Sequence, residues 1–193
     1  MPGAVLIISV SIVLAGNASA IAAGTRGKSG ARPAENSAVR SMTPFVGRLV
    51  EEGVRHSPTF AAEVRELSNS DIIVLVEPAV KLPPGICGHT TFLSARGGFR
   101  YLQILFETRY NVPQTIGIIG HELRHALEVA THPEVIDQKT FGSMYERIGY
   151  RNRLARRGLA YDSIEAITAG RTIVEEMVSP ELNADAADPA PGR

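Results

Sequence analysis

The chain has no surplus of charge of either sign. Its 193 residues carry 20 Lys and Arg against 20 Asp and Glu. Proteins that bind nucleic acid, or an acidic membrane surface, usually need an excess of positive charge, so the balance argues against both partners. Cysteine is nearly absent too. Cys87 stands alone, which excludes an intrachain disulfide. With only His89 nearby as a base, Cys87 reads as a small buried hydrophobe rather than a nucleophile. There is no internal repeat, and no run of the roughly 20 apolar residues that a membrane-spanning helix requires. A chain of this length holds one domain with its own core and little besides.

The N-terminus carries an apolar run, Val5 to Ala15, interrupted only by Ser9 and Ser11 and followed by the small-x-small stretch Ala18-Ser19-Ala20. It is too short to span a bilayer and fits the apolar region of a signal peptide over residues 1–20, although no Lys or Arg precedes it. Cleavage after Ala20 is expected, giving an exported product, periplasmic or secreted, with no stable membrane span. No Cys near that site offers an attachment point for lipid. Residues 21–40, mostly Gly, Ala, Ser, Arg and Pro without periodicity, read as a flexible linker. Residues 179–193, rich in Ala, Pro and Asp, read as a disordered tail. The folded domain is then 41–178.

Within it, Phe45, Val46, Leu49, Val50 and Val54 recur at helical spacing, and Ser57-Pro58 opens a second helix carrying Phe60, Val64 and Leu67. Asp71 to Pro78 is a buried strand closed by proline. Thr90 to Ser94 and Phe99 to Glu107 flank Ala95-Arg96-Gly97-Gly98 and predict a hairpin, with Leu102, Ile104 and Phe106 on one face. The period then lengthens. Ile116, Ile119, Leu123, Leu127 and Ala130 repeat every three or four residues, predicting a helix from Pro113 to Ala130. An irregular or helical stretch follows at Phe141 to Ile148. A last helix runs from near Asp162 to Val178 with Ile164, Ile167, Val174 and Val178 as its apolar stripe. The fold class is α+β.

On the central helix lies His121-Glu122-Leu123-Arg124-His125, the spacing HExxH. Residues four apart on an α-helix are about 40° apart around the axis and about 6 Å along it, so both imidazoles can converge on one tetrahedral zinc ion. Glu122, beside the first ligand, is too far round to coordinate well but can take a proton from a water at the metal as general base. Gly120, Leu123 and Ala126 around the motif suggest a packed helix rather than a solvated one.

A catalytic zinc needs a third protein ligand. A third His in the pattern HExxHxxGxxH is excluded, because Glu128 and Thr131 occupy the Gly and His positions and His132 is one residue out of register. Glu128 shares the helical face of the two His residues one turn further on, where it is either a hydrogen-bonding partner of a ligand imidazole or a solvated side chain. Glu165, among Ala166, Ala169 and Gly170, is the leading third ligand. However, Asp162-x-x-Glu165 also has the form of a capping box, with Asp162 as the cap or itself a ligand. Glu175 and Glu176 read as solvated. Tyr145, Tyr150 and Tyr161, between the motif and the last helix, are candidate hydroxyl donors to an oxyanion, or core aromatics with tethered hydroxyls. Of these, Tyr145 and Tyr161 are the two carried forward, and His132 has the same ambiguity.

A strand, a hairpin, an HExxH helix and a downstream helix presenting a Glu resemble the zincin metallopeptidases, in their glutamate-ligand branch. Gly120 to Glu128, with Ile164-Glu165-Ala166 and Ala169-Gly170-Arg171, more closely resembles short exported bacterial proteins bearing the same motif. The resemblance covers 71–177 and implies a small zincin-like domain. It further implies His121, His125 and Glu165 as zinc ligands, Glu122 as base, and peptide or protein as substrate. The alternative is a non-catalytic zinc-binding module of structural or interaction role, favoured by the small size and by the lack of an unambiguous oxyanion donor.

Overall fold

The computed structural model describes residues 37–151 and 160–179. The expected signal peptide, most of the linker and all but the first residue of the tail lie outside the described residues. The elements run β1 (Val39–Arg40), α1 (Pro44–His56), α2 (Pro58–Ser68), β2 (Ile72–Ala79), β3 (Gly88–Arg96), β4 (Phe99–Glu107), α3 (Val112–Ala130), α4 (Gln138–Ile148), β5 (Tyr150–Arg151), β6 (Tyr161–Asp162) and α5 (Ile164–Val178). This is the α+β domain expected.

The helices begin where side chains satisfy their first free amides. Thr43, Ser57, Asn111, Asp137 and Ser163 each accept a hydrogen bond from the backbone N–H three residues on. Pro follows within the first turn of α1, α2 and α3, where its missing N–H costs nothing. The turn between β3 and β4 places Gly97 and Gly98 at φ 62° and 81°. That pair of positive angles is the geometry a two-residue hairpin prefers.

Four strands form one sheet in the order β1-β2-β4-β3. β1 and β2 run parallel, β2 and β4 run parallel, and β3 is antiparallel to β4 at the edge. Ile72, Val74 and Val76 of β2, Leu102, Ile104 and Phe106 of β4, and Phe92 of β3 are buried in one core with α3. Burying each such side chain contributes roughly 2 kcal/mol. α3 lies inside the molecule, with Ile116, Ile118, Ile119, Leu123, Ala126 and Val129 all wholly covered.

Two expectations are revised by the structure, and one element is new. Val39–Arg40, assigned to a linker, extends the sheet as β1, because Ala38 and Val39 have a buried place beside β2. The apolar stripe of α5 is not Ile164 and Val178, which are 68% and 65% exposed. Its buried face is Ala166, Ala169, Gly170 and Ile173, because α5 approaches α3 too closely for larger side chains. A Cβ on Gly170 would lie 3.0 Å from the Gly117 carbonyl oxygen and 3.1 Å from the His121 Cβ. The two-residue ribbon of β5 and β6 was not foreseen; it pairs Tyr150 with Asp162 and so fixes the entry to α5. Among the described residues, no helix is long and apolar enough to cross a membrane.

Arg100 of β4 holds α3 to the sheet. Its guanidinium donates to both carboxylate oxygens of Asp71 at 2.7 Å. Nη1 also donates to the carbonyls of Val129 and His132 at 2.9 and 2.7 Å, at the free end of α3. Arg100→Leu is expected to lower stability by about 3 kcal/mol, since buried acceptors lose their donor. Asp71→Asn, at a largely solvated partner, should cost about 1 kcal/mol. Urea unfolding of the two variants measures both.

Glu63 of α2 is buried against Gly120 of α3, and neither of its oxygens has a hydrogen-bond partner. Burial raises its pKa from 4.5 to about 8, against the opposing pull of Arg124. A folded-state pKa above the unfolded one means the contribution to stability is full below pH 4.5 and is lost as pH rises through about 8. Glu63→Gln should therefore gain stability over the wild type as pH is raised from about 5 to about 9. Equal unfolding midpoints for the two proteins at every pH would contradict this.

Candidate metal centre

α3 carries His121 and His125 one turn apart on the face turned toward the start of α5. Their rings lie edge to face, with centroids 4.9 Å apart. β6 brings Asp162 to them, its Oδ1 3.2 Å from His121 Nε2 and 3.7 Å from His125 Nε2. One ligand atom from each of the three lies within 4.8 Å of the other two, and all three residues are buried. Neither Nε2 atom is aimed along a hydrogen bond. Two buried imidazole nitrogens without partners, converging with a carboxylate oxygen, are the donor set a small divalent ion takes. The cluster is able to hold a metal ion.

A second layer of contacts orients the ligands. His125 Nδ1 and Glu128 Oε2 are 2.8 Å apart. A proton on Nδ1 leaves the lone pair of Nε2 directed at the metal position. Glu128 is in turn held by Ser163 Oγ, which donates to Oε1 at 2.5 Å, and by the Tyr145 hydroxyl, which donates to Oε2 at 2.9 Å. Ser163 is also the N-cap of α5, accepting from the Ala166 amide at 3.0 Å. A single hydroxyl therefore ties the start of α5 to the histidine helix.

The electrostatics follow from burial and these contacts. Burial depresses the His121 pKa, favouring the neutral form that coordinates. Burial also pushes His125 down, but the Glu128 carboxylate, with Glu122 and Asp162, outweighs it and raises His125 to about 9, so a metal ion would have to displace the proton on Nε2. Glu122, wholly buried, is pushed up to about 8 by desolvation, a shift that a cation held by the adjacent cluster would oppose. Its Oε2 accepts from Thr90 Oγ1 at 2.5 Å, and its Oε1 has no partner.

His121, Glu122 and His125 are thus gathered where the helical spacing puts them. Glu165 is not among them. It sits exposed in the first turn of α5, roughly a quarter-turn off the face that meets α3. The carboxylate in the cluster is Asp162, the last residue of β6 and one ahead of the N-cap of α5, rather than inside the helix. Ser163, not Asp162, is the cap, so the capping-box alternative gives way as well. Glu128 is not solvated but is the partner of His125.

Tyr145 is fully buried with its hydroxyl committed to Glu128, 3.1 Å from the His125 carbonyl, and so is not free to meet an oxyanion. Tyr161 lies half-buried in β6 against the core, and Tyr150 is largely exposed in β5. His132 caps the end of α3, with Nδ1 2.7 Å from the Glu128 carbonyl oxygen, away from the cluster. Glu176, read as solvated, instead accepts from the Thr59 amide at 3.1 Å and hydroxyl at 2.8 Å at the start of α2.

Thr90 and Ser163 had no signal of their own in the sequence. Asp162 had one, as a cap or ligand, but stands beside a second residue of capping type. Compared with family models, curated proteins and solved structures, the chain finds no match.

Asp162→Ala should weaken transition-metal binding by at least the roughly 10–100-fold expected for Glu128→Gln, which only loosens a ligand. Glu165→Ala should leave binding unchanged. Calorimetric metal titration of the three variants checks this, and the reverse order for Asp162 and Glu165 would move the third ligand.

Proposed function

We propose that the protein is a zinc-dependent metallopeptidase acting outside the cytoplasm. The observation that carries this reading is the juxtaposition of His121, His125 and Asp162 with a buried carboxylate, Glu122, that is not itself in the cluster. Two imidazoles and one carboxylate are a ligand set that suits zinc and leaves a fourth position for water or substrate. Zinc there would supply a Lewis acid and acidify a water beside it. Glu122, next to His121 on α3, would accept a proton from the attacking water as its oxygen bonds to the scissile carbonyl carbon. The same carboxyl returns the proton to the departing amine nitrogen as the C–N bond breaks.

β3 supports a peptide substrate. It is the edge of the sheet, and its Gly88 and Thr90 lie against the α3 helix beside Glu122. An extended peptide adding to that edge would run its backbone past the cluster. Export rests on the N-terminal sequence alone.

A second reading has its own observation. His121, Glu122 and His125 are all 0% exposed, and closed zinc sites are typically structural. On that reading the metal fixes α5 to α3 in a module without turnover.

Glu122→Gln separates the two. For the peptidase it should retain stoichiometric zinc and lose hydrolysis of an unstructured protein such as casein by a factor of at least 100. Zinc uptake by the wild type with no cleavage at all would favour the structural module. Equal cleavage by wild type and variant would remove Glu122 from the mechanism.

A further inference from the structure

Glu122 has two carboxylate oxygens in different surroundings, and strand β3 makes the difference. Residues two apart on a strand face the same side, and Gly88 and Thr90 both face α3. Thr90, itself wholly buried, donates from Oγ1 to Glu122 Oε2 at 2.5 Å. Gly88 lies over the other oxygen. A Cβ there would fall 2.6 Å from Glu122 Oε1 and 2.8 Å from the Ile118 Cγ2. Oε1 is left buried and without a hydrogen-bond partner.

We infer that Gly88 and Thr90 are positioning residues for the general base: Thr90 engages one oxygen of Glu122, and the missing side chain of Gly88 keeps the other clear to accept a proton. The inference rests on the metallohydrolase reading of the site and adds to it a role for the edge strand. The strand that would receive a peptide also sets the base, so substrate register and base orientation share one rigid element. A carboxylate free to rotate would spend part of its time with neither oxygen toward the water, lowering the rate without touching the metal. Thr90 touches no metal ligand through this bond, so its removal should spare metal affinity.

The test uses the full chain loaded with cobalt, and acetohydroxamic acid as probe. This acid must lose a proton to coordinate, and Glu122 is the group placed to take it. The wild type should bind both. Thr90→Val, of nearly the same shape, should take up cobalt like the wild type but bind acetohydroxamate about tenfold more weakly, the loss of one hydrogen bond to a charged group. Thr90→Ser should restore it. Gly88→Ala should weaken the probe in the same direction with cobalt retained. In peptide hydrolysis the Thr90→Val loss should appear in kcat, with KM unchanged.

If Glu122→Gln weakens the probe while Thr90→Val and Gly88→Ala bind it like the wild type, the positioning role is overturned and the base assignment stands. If Glu122→Gln also binds like the wild type, the base assignment fails and the inference falls with it. If the wild type takes up no metal, both are wrong from the start.

Discussion

The backbone contact between α3 and α5 is the constraint from which the rest of the centre follows. Gly117 and Gly170 face each other across it, and a Cβ on Gly117 would lie 2.9 Å from the Gly170 carbonyl oxygen and 2.4 Å from Val174 Cγ2. Helices this close bring the residue ahead of the α5 cap into reach of the imidazoles on α3. Asp162 is that residue, delivered by the short ribbon with Tyr150. Ser163 completes the join by serving two partners, the first turn of its own helix and Glu128 on the other. The geometry of the cluster therefore depends on both the α3–α5 packing and the β5–β6 ribbon.

Around this contact, the sheet, α2 and α4 all pack on α3 or on its histidines. The sheet covers one side through Leu102, Ile104 and Phe106, and Arg100 fixes its C-terminal end to β4 and Asp71. α4 supplies Tyr145, which reaches back to Glu128 and packs edge-on against His125 at 5.3 Å between ring centroids. α2 covers the far side with Phe60 and the buried Glu63. Polar groups buried at this density are costly unless they are paired. In this core, those left without partners include the ligand nitrogens and one oxygen of Glu122.

What could be read in the sequence was what depends on near neighbours along the chain. The α3 helix, its HExxH face, the Gly97-Gly98 hairpin and the Pro-marked starts of the first helices all follow from spacing within a few residues. The pairing of β2 with β4, not with the nearer β3, could not be read that way. Nor could Arg100, whose backbone acceptors lie some thirty residues downstream. The third ligand failed for a local reason. Asp162 and Ser163 are both capping types, and sequence cannot say which of two adjacent residues begins a helix. The face of α5 that meets α3 is marked by small residues, Ala166, Ala169 and Gly170, and Glu165 lies about a quarter-turn off it. Reading the stripe from large apolar side chains put Ile164 and Val178 on it, whereas the close backbone contact buries Ala166, Ala169 and Gly170.

The irregularity in β3 between Phe92 and Ser94 bears on how the molecule keeps to itself. An edge strand with unused backbone donors and acceptors is a template for any other chain, including a second copy of the same one. The bulge breaks that template in two, because the extra residue changes the side-chain alternation and increases the local twist. Gly88 to Phe92 precedes the irregularity, and Gly88 and Thr90 within it lie over Glu122. Beyond it, the exposed Ser94, Ala95 and Arg96 offer a twisted edge ending in a charge. A regular ladder of added strands would have to break at that irregularity.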